Sequence, residues 1–168
     1  MQSLKYHQHP VPGKFVMVPT KALKTQRDLA LAHTPGVVEP CMQIKKDPEY
    51  AQRFTSKGRT IACVTNGTSV LGIGNVGALA AKPDLEGKAI IYRQAAGIDC
   101  VDICLDAPNA EDFCEVAQYL GPSFGAICLE SIKAPDCFEI EATLKEEMNI
   151  PVFHNDQHGS AVVVLAAL

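Results

Sequence analysis

From residue 60 onward the chain alternates short apolar runs with helix-length amphipathic stretches, and that alternation leaves few architectures open. "TIACVT" (60–65), "AIIYR" (89–93), "IDCVDICL" (98–105), "FGAICLE" (124–130) and "IPVFH" (150–154) read as strands buried on both faces. Between them "NVGALAAKPDLEG" (75–87) reads as a helix ending at Gly87. "NAEDFCEVAQYL" (109–120) reads as a helix opened by Asn109, "PDCFEIEATLKEEMN" (135–149) as a long one, and a last helix begins near Gln157. Strands separated by helices mean βαβ units, so the expected fold is α/β: a parallel sheet in a three-layer domain. An irregular and helical N-terminal segment precedes it. Residues 1–20 are Pro-rich and are expected to form an irregular arm, with one domain over 21–168. Within that domain Thr25 and Asp28 of "TQRD" offer a capping box for the short helix "LALAH". "TPGVVEPC" (34–41) is expected to break that helix. "DPEYAQRFTSKG" (47–58) is expected to form another, with Asp47 as N-cap, Pro48 in the first turn and Gly58 as terminator.

Composition narrows the function classes. The 168 residues suit one domain with a real core, and a net charge of −4 lacks the basic stripe a nucleic-acid surface needs. Trp is absent and aromatics make up 6%, which also disfavours a base-stacking platform. The seven Cys stand singly, mostly inside apolar runs, without a CxxC pair. They read as free thiols packed as small hydrophobes in a reducing compartment. The opening "MQSLKYHQHPVPGK" has no apolar leader region, and the closing AVVVLAAL is too short to cross a bilayer. A cytoplasmic location, with no membrane and no nucleic-acid partner, is the expectation.

In open parallel sheets ligands bind beyond the carboxyl ends of the strands. That rule selects Asp106 after "VDICL", Glu130 after "FGAICL", and Asp156 after "IPVFH", with His154, Asn155, Gln157 and His158 around it. Carboxylates at neighbouring strand ends are hard oxygen donors suited to Mg²⁺ or Mn²⁺, although an Asp just before a helix also serves as an N-cap. Gly72, Gly74 and Gly77 form G-x-G-x-x-G after a strand-like run and before a helix, the pattern of a dinucleotide-binding turn. Against it, "TNGT" intervenes after the strand, and the next expected strand ends in Arg93 rather than an acidic residue. A glycine loop that simply lets backbone approach a neighbour fits equally well. Lys88 stands next to Gly87, where it is either a solvated edge residue or, if buried near carboxylates, a tunable base. His33 stands at a helix end, where it either meets the dipole or acts as a proton donor.

Four stretches, in order, resemble one family. They are "TQRDLALAHTPGVVEPC", "TNGTSVLGIGNVGALAAKPDLEGKAIIYRQAAGID", "FGAICLESIKAPDCFEIE" and "MNIPVFHNDQHGSAVVVLAAL". Together, from about Pro12 to the end, they resemble the N-terminal, malate-binding domain of bacterial-type NAD(P)-dependent malic enzymes. The resemblance implies oxidative decarboxylation of L-malate to pyruvate and CO₂ with reduction of NAD⁺ or NADP⁺. It makes Lys88 the proton acceptor, Glu130 and Asp156 metal ligands for Mg²⁺ or Mn²⁺, and "GIGNVG" part of the malate domain rather than the main cofactor site. His33 stands at the position of the family's tyrosine proton donor, Ser131 at that of a metal-region aspartate, Asn155 at that of the first of two paired aspartates, and Ser160 at that of a threonine. The resemblance also implies a nucleotide-binding domain beyond residue 168, and a homo-oligomer or association with such a domain. On that reading the chain is a substrate domain incomplete by itself. The alternative is a non-catalytic, truncated remnant or interaction module that keeps the fold.

Overall fold

The computed structural model describes residues 2–168. Four strands form one parallel sheet: β1 (Thr60–Thr65), β2 (Asp99–Cys104), β3 (Ala126–Leu129) and β4 (Val152–His154), in the order β2-β1-β3-β4. The order follows from right-handed crossovers that lay helices on both faces. Ala62, Val64, Ile127 and Leu129 point to one face, where Phe113 and Ala117 of α6 (Ala110–Gln118) and Cys137, Ile140 and Leu144 of α7 (Asp136–Glu147) close over them. Cys63, in register with Asp102 and Cys128, points to the other face. That face is covered by α5 (Gly77–Ala96). The three layers are therefore α5, the sheet, and α6 with α7, as the alternation predicts.

The expected strand at 89–93 and the expected helix end at Gly87 are both overturned, because α5 runs unbroken from Gly77 to Ala96. Ala78, Ala81, Leu85 and Ala89 are buried at helical spacing across Gly87, and this stripe packs on the sheet. The run "AIIYR" continues that stripe, so tertiary burial outweighs the β-branched Ile90 and Ile91. Pro83 lies inside the helix, where a proline costs about 3 kcal/mol. Its carbonyl accepts the Lys14 ammonium at 2.6 Å.

The N-terminal segment departs from expectation in three places. Residues 2–8 of the supposed irregular arm form α1 (Gln2–Gln8). Pro40 does not break a helix but lies in the first turn of α3 (Val38–Lys46), where the missing N–H would be unsatisfied anyway. Residues 47–58 form two single 3₁₀ turns flanking α4 (Ala51–Phe54) rather than one helix. Asp47 nevertheless caps its turn by accepting the Glu49 amide. The Thr25–Asp28 capping box of α2 (Gln26–Ala32) is formed as read.

No residue from 2 to 60 is buried. Residues 15–20 lie along a cleft formed with Ala89, Ile90 and Arg93 of α5 and with Asp99 and Cys100 at the start of β2. The chain returns to the body through Lys57, whose ammonium donates to the carbonyls of Gly121 and Phe124 at 2.5 Å. The segment carrying α2, α3 and α4 thus hangs from the edge of the sheet where the strands begin. No helix among the described residues is long and apolar enough to cross a membrane.

Candidate active site

Helix α5 runs antiparallel to β3, and one of its faces meets the end of that strand and the two residues that follow it. Asp84, Lys88 and Tyr92 are spaced by four, so they share a face. The Tyr92 hydroxyl lies 2.9 Å from Cys128 Sγ, Lys88 Nζ donates to Glu130 Oε2 at 2.7 Å, and Asp84 Oδ2 accepts the Ser131 hydroxyl at 2.9 Å. Lys88 Nζ also donates to Ser131 Oγ at 3.0 Å and lies 3.2 Å from Asp84 Oδ2 and 3.7 Å from Asp156 Oδ1. The structure therefore brings together Lys88, Glu130, Ser131 and Asp156 at the carboxyl edge of the sheet.

Glu130 is fully buried. Burial pushes its carboxyl up to about 7, against the opposing hydrogen bond and charge of Lys88. Burial works against the Lys88 charge as well, but the hydrogen bond and charge of Glu130, with Asp156 and Asp84 behind it, leave the ammonium above its ordinary range. Beneath the pair, burial and the Glu130 charge push the Cys128 thiol up to about 12. These same causes, with a hydrogen bond to Cys128, raise the Tyr92 phenol.

Ser131 is held by every polar atom it has. Its amide donates to Asp156 Oδ2 at 2.7 Å, its carbonyl accepts the Ser69 amide at 2.9 Å, and its hydroxyl bridges Asp84 and Lys88. Its φ of 55° is left-handed, unusual for a non-glycine residue and worth about 1–3 kcal/mol of strain. Asp156 sits in a single wide turn, Asn155–Gly159, between β4 and α8 (Ser160–Ala166). Buried Glu141 of α7 anchors that turn. It accepts the His154 amide at 3.1 Å and pairs with His158 Nδ1 at 2.5 Å and with Lys145 Nζ at 2.7 Å. His154 is buried, its Nδ1 accepts the Gln157 amide at 3.3 Å, and its Nε2 has no hydrogen-bond partner among the described residues. Burial keeps the imidazole below its ordinary range.

The other sequence candidates lie outside this cluster. Asp106 is exposed after β2. Gly72, Gly74 and Gly77 all have positive φ; the first two lie in the loop between β1 and α5, tied by Val70 and Gly74 exchanging backbone hydrogen bonds, and Gly77 opens α5. His33 caps the end of α2, exposed, on the segment attached at the opposite edge of the sheet, and is not among the hydrogen-bond or ion-pair partners of Lys88. Asp84 and Glu141 were missed. Asp84 had no local signal, being four residues before Lys88 and 47 before its hydroxyl partner. Glu141 reads in sequence as one more charge on an amphipathic helix.

The donor set is chemically suited to a hard dication, since the groups converging on Lys88 are carboxylate and hydroxyl oxygens. At present the Lys88 ammonium fills their point of convergence, and no three acidic, His or Cys side chains among the described residues come together as a metal centre.

A family model for the malic enzyme N-terminal domain matches residues 12–123. The chain is 54% identical over 99% of its length to an NADP-dependent malic enzyme of Escherichia coli and to an NAD-dependent malic enzyme of Rhizobium meliloti. It spans only 22% of the length of each. The solved malic enzyme of Pyrococcus horikoshii superposes with a TM-score of 0.95 at 42% identity, over 98% of this chain and 39% of that one. The NAD-dependent malic enzyme of Thermotoga maritima gives 0.95 at 43%, over 98% and 46%. Matched by the N-terminal-domain model and aligned over nearly all of its own length with these proteins, the chain belongs to the malic enzyme family, and the part it represents is the N-terminal domain.

Proposed function

We propose that this chain is the substrate- and metal-binding part of a malic enzyme, serving the oxidative decarboxylation of L-malate to pyruvate and CO₂ with reduction of NAD⁺ or NADP⁺. The observation that carries this reading is the Lys88–Glu130–Asp156 cluster, three side chains from three elements meeting at the carboxyl edge of a parallel sheet. Glu130 and Asp156 would hold Mg²⁺ or Mn²⁺, with Ser131 contributing at most a hydroxyl. A dication there supplies positive charge that polarises the substrate oxygens and offsets the carboxylate field on Lys88. Lys88 accepts the substrate hydroxyl proton at Nζ. The loop of Gly72, Gly74 and Gly77 leaves the same sheet edge and would line the cleft toward the nicotinamide. The nucleotide itself would be bound mainly outside these 168 residues.

His33, at the position of the family's proton donor, hangs from the far edge of the sheet. It would therefore serve the Lys88 cluster of a second copy, which also gives the exposed Leu29, Leu31, Val38 and Met42 a surface to cover. The free thiols fit a cytoplasmic setting.

A steady-state assay with L-malate, Mn²⁺ and each nicotinamide, with and without an added nucleotide-binding domain, tests the reading. Turnover lost on Lys88→Ala supports it. The second reading, a non-catalytic module, is favoured by Ser131, Asn155 and His33 standing where the family has two aspartates and a tyrosine. No turnover under any of these conditions, with no calorimetric binding of malate and Mn²⁺ at micromolar concentrations, would decide for it.

A further inference from the structure

The α5 face of the sheet carries a thiol pair that opens into a cleft. Cys63 of β1 is fully buried on that face, in register with Asp102 of β2. Cys100 stands two residues before Asp102, so it faces α5 as well and is a diagonal neighbour of Cys63. A hydrogen bond joins the two thiols. Cys100 is only partly buried, and it lines the cleft beside residues 15–20, a cavity of about 670 Å³. Small-molecule sites run from roughly 300 to 1,000 Å³. Phe15, Val16 and Ile90 give the cleft an apolar wall, and Arg59 and Arg93 give it charge. Both guanidiniums pair with Asp99, which leaves one net positive charge beside the thiol. None of these groups belongs to the Lys88 cluster.

We propose that Cys100 is a covalent modification site for small disulfides that bear carboxylates, with Cys63 as the hydrogen-bond donor that activates it and Arg59 and Arg93 as the groups that receive the carboxylate. The Cys100 thiolate attacks one sulfur of the disulfide. A new S–S bond forms at Cys100, the old one breaks, and the other half leaves as a thiolate that takes up the proton Cys100 released. Cys100 is oxidised and the departing half is reduced, so the small disulfide is itself the oxidant. Of the pair, Cys100 gives up its proton because it alone reaches the cleft, and Cys63 then donates to the charged sulfur. The Cys63 hydrogen bond holds the Cys100 thiol below its ordinary range, against burial and the charges of Asp102 and Glu130. The same bond, with burial, pushes the Cys63 thiol up. Cys104 is the internal comparison. It lies on the same strand and face and is also partly buried, but burial and Asp102 push its thiol up. Diagonal neighbours in a sheet stand about 7–8 Å apart at Cα, too far for an S–S bond without backbone movement. The mixed disulfide therefore stays on Cys100 instead of passing to Cys63.

Oxidised glutathione, added at neutral pH to the full 168-residue chain and followed by peptide mass mapping, tests this. Hydroxyethyl disulfide, which has no carboxylate, is the comparison reagent. Oxidised glutathione is expected to load Cys100 several-fold faster than Cys104. Measured against exposed Cys41, it is also expected to favour Cys100 several-fold more than hydroxyethyl disulfide does. Cys63→Ala is expected to slow loading of Cys100 by about threefold, because about a tenfold loss of thiolate is partly offset by about a threefold gain in nucleophilicity. Cys63→Ser, which still donates, is expected to keep the wild-type rate. Arg93→Gln is expected to remove the preference for oxidised glutathione and leave hydroxyethyl disulfide unaffected. Circular dichroism confirms the fold of each variant. Equal rates at Cys100 and Cys104, or one Cys100-to-Cys41 ratio for both disulfides, would overturn the proposal. An internal Cys63–Cys100 disulfide in place of the mixed one would show Cys63 attacking rather than donating, and would overturn it too. Should a variant fail to fold, these two ratios in the wild type carry the test.

Discussion

Glu141→Gln should destabilise the protein in a way that disappears in acid. The carboxylate is 2% exposed and accepts from Lys145, His158 and the His154 amide. An uncharged amide keeps one acceptor for the His154 N–H but loses the charge. Hydrogen bonds to charged groups contribute about 1.5–3 kcal/mol each. Lys145 and His158 are each 49% exposed, so water recovers much of their share. About 1.5–3 kcal/mol in total is the expected loss. For a domain of this size, that lowers the melting temperature by roughly 3–12 °C.

The pH dependence follows from the carboxyl's displacement. Burial alone would raise it, but Lys145, the His154 amide and the charges of Lys145 and His158 outweigh burial and hold it below its ordinary range. Its stabilisation is therefore complete above the unfolded carboxylate range and fades as the pH falls through the lower, folded value. Thermal melts of both proteins, followed by circular dichroism from neutral pH into acid, should converge. Equal melting temperatures at neutral pH, or a gap that persists unchanged in acid, would refute the reasoning.

Phe113→Ala should cost about 3–5 kcal/mol, read from urea unfolding, because Phe113 is fully buried between the sheet and α7. A thiol reagent on the native protein should label exposed Cys41 first and leave Cys63 and Cys128 unlabelled until denaturant is added, since both are buried with thiols held protonated by burial and neighbouring groups. Light scattering should find self-association that Leu31→Asp on α2 weakens, while a wild-type monomer at the highest soluble concentration would exclude a second copy as the site's acid donor.

Most of the sheet was legible in the sequence, because its strands are short apolar runs ended by turn residues. The misreading of residues 89–93 has a local cause and a distant one. Pro83 and Gly87 look like stops, and Ile90 and Ile91 favour a strand. The reason they lie in a helix is the stripe from Ala78 to Ala89 meeting a sheet that a local window does not contain. That error hid Asp84, since only a continuous α5 places residues 84, 88 and 92 in one row. Glu130 and Asp156 were legible because position at a strand end is itself the signal. The remoteness of His33 was not, since sequence order does not say at which edge of the sheet a segment is attached.

The absence of any buried residue among residues 2–60 divides the chain thermodynamically. Amides of α1 to α4 have only short helices, exposed to water, to protect them. In isolated chains they should exchange with deuterium through local opening at little cost, while those of β1 and β3 wait for global unfolding. The urea dependence of unfolding would then scale with the surface of the body alone and fall short of the value expected for 168 residues. Assembly would raise it, making the slope of a denaturation curve a measure of whether the first third of the chain has found its surface.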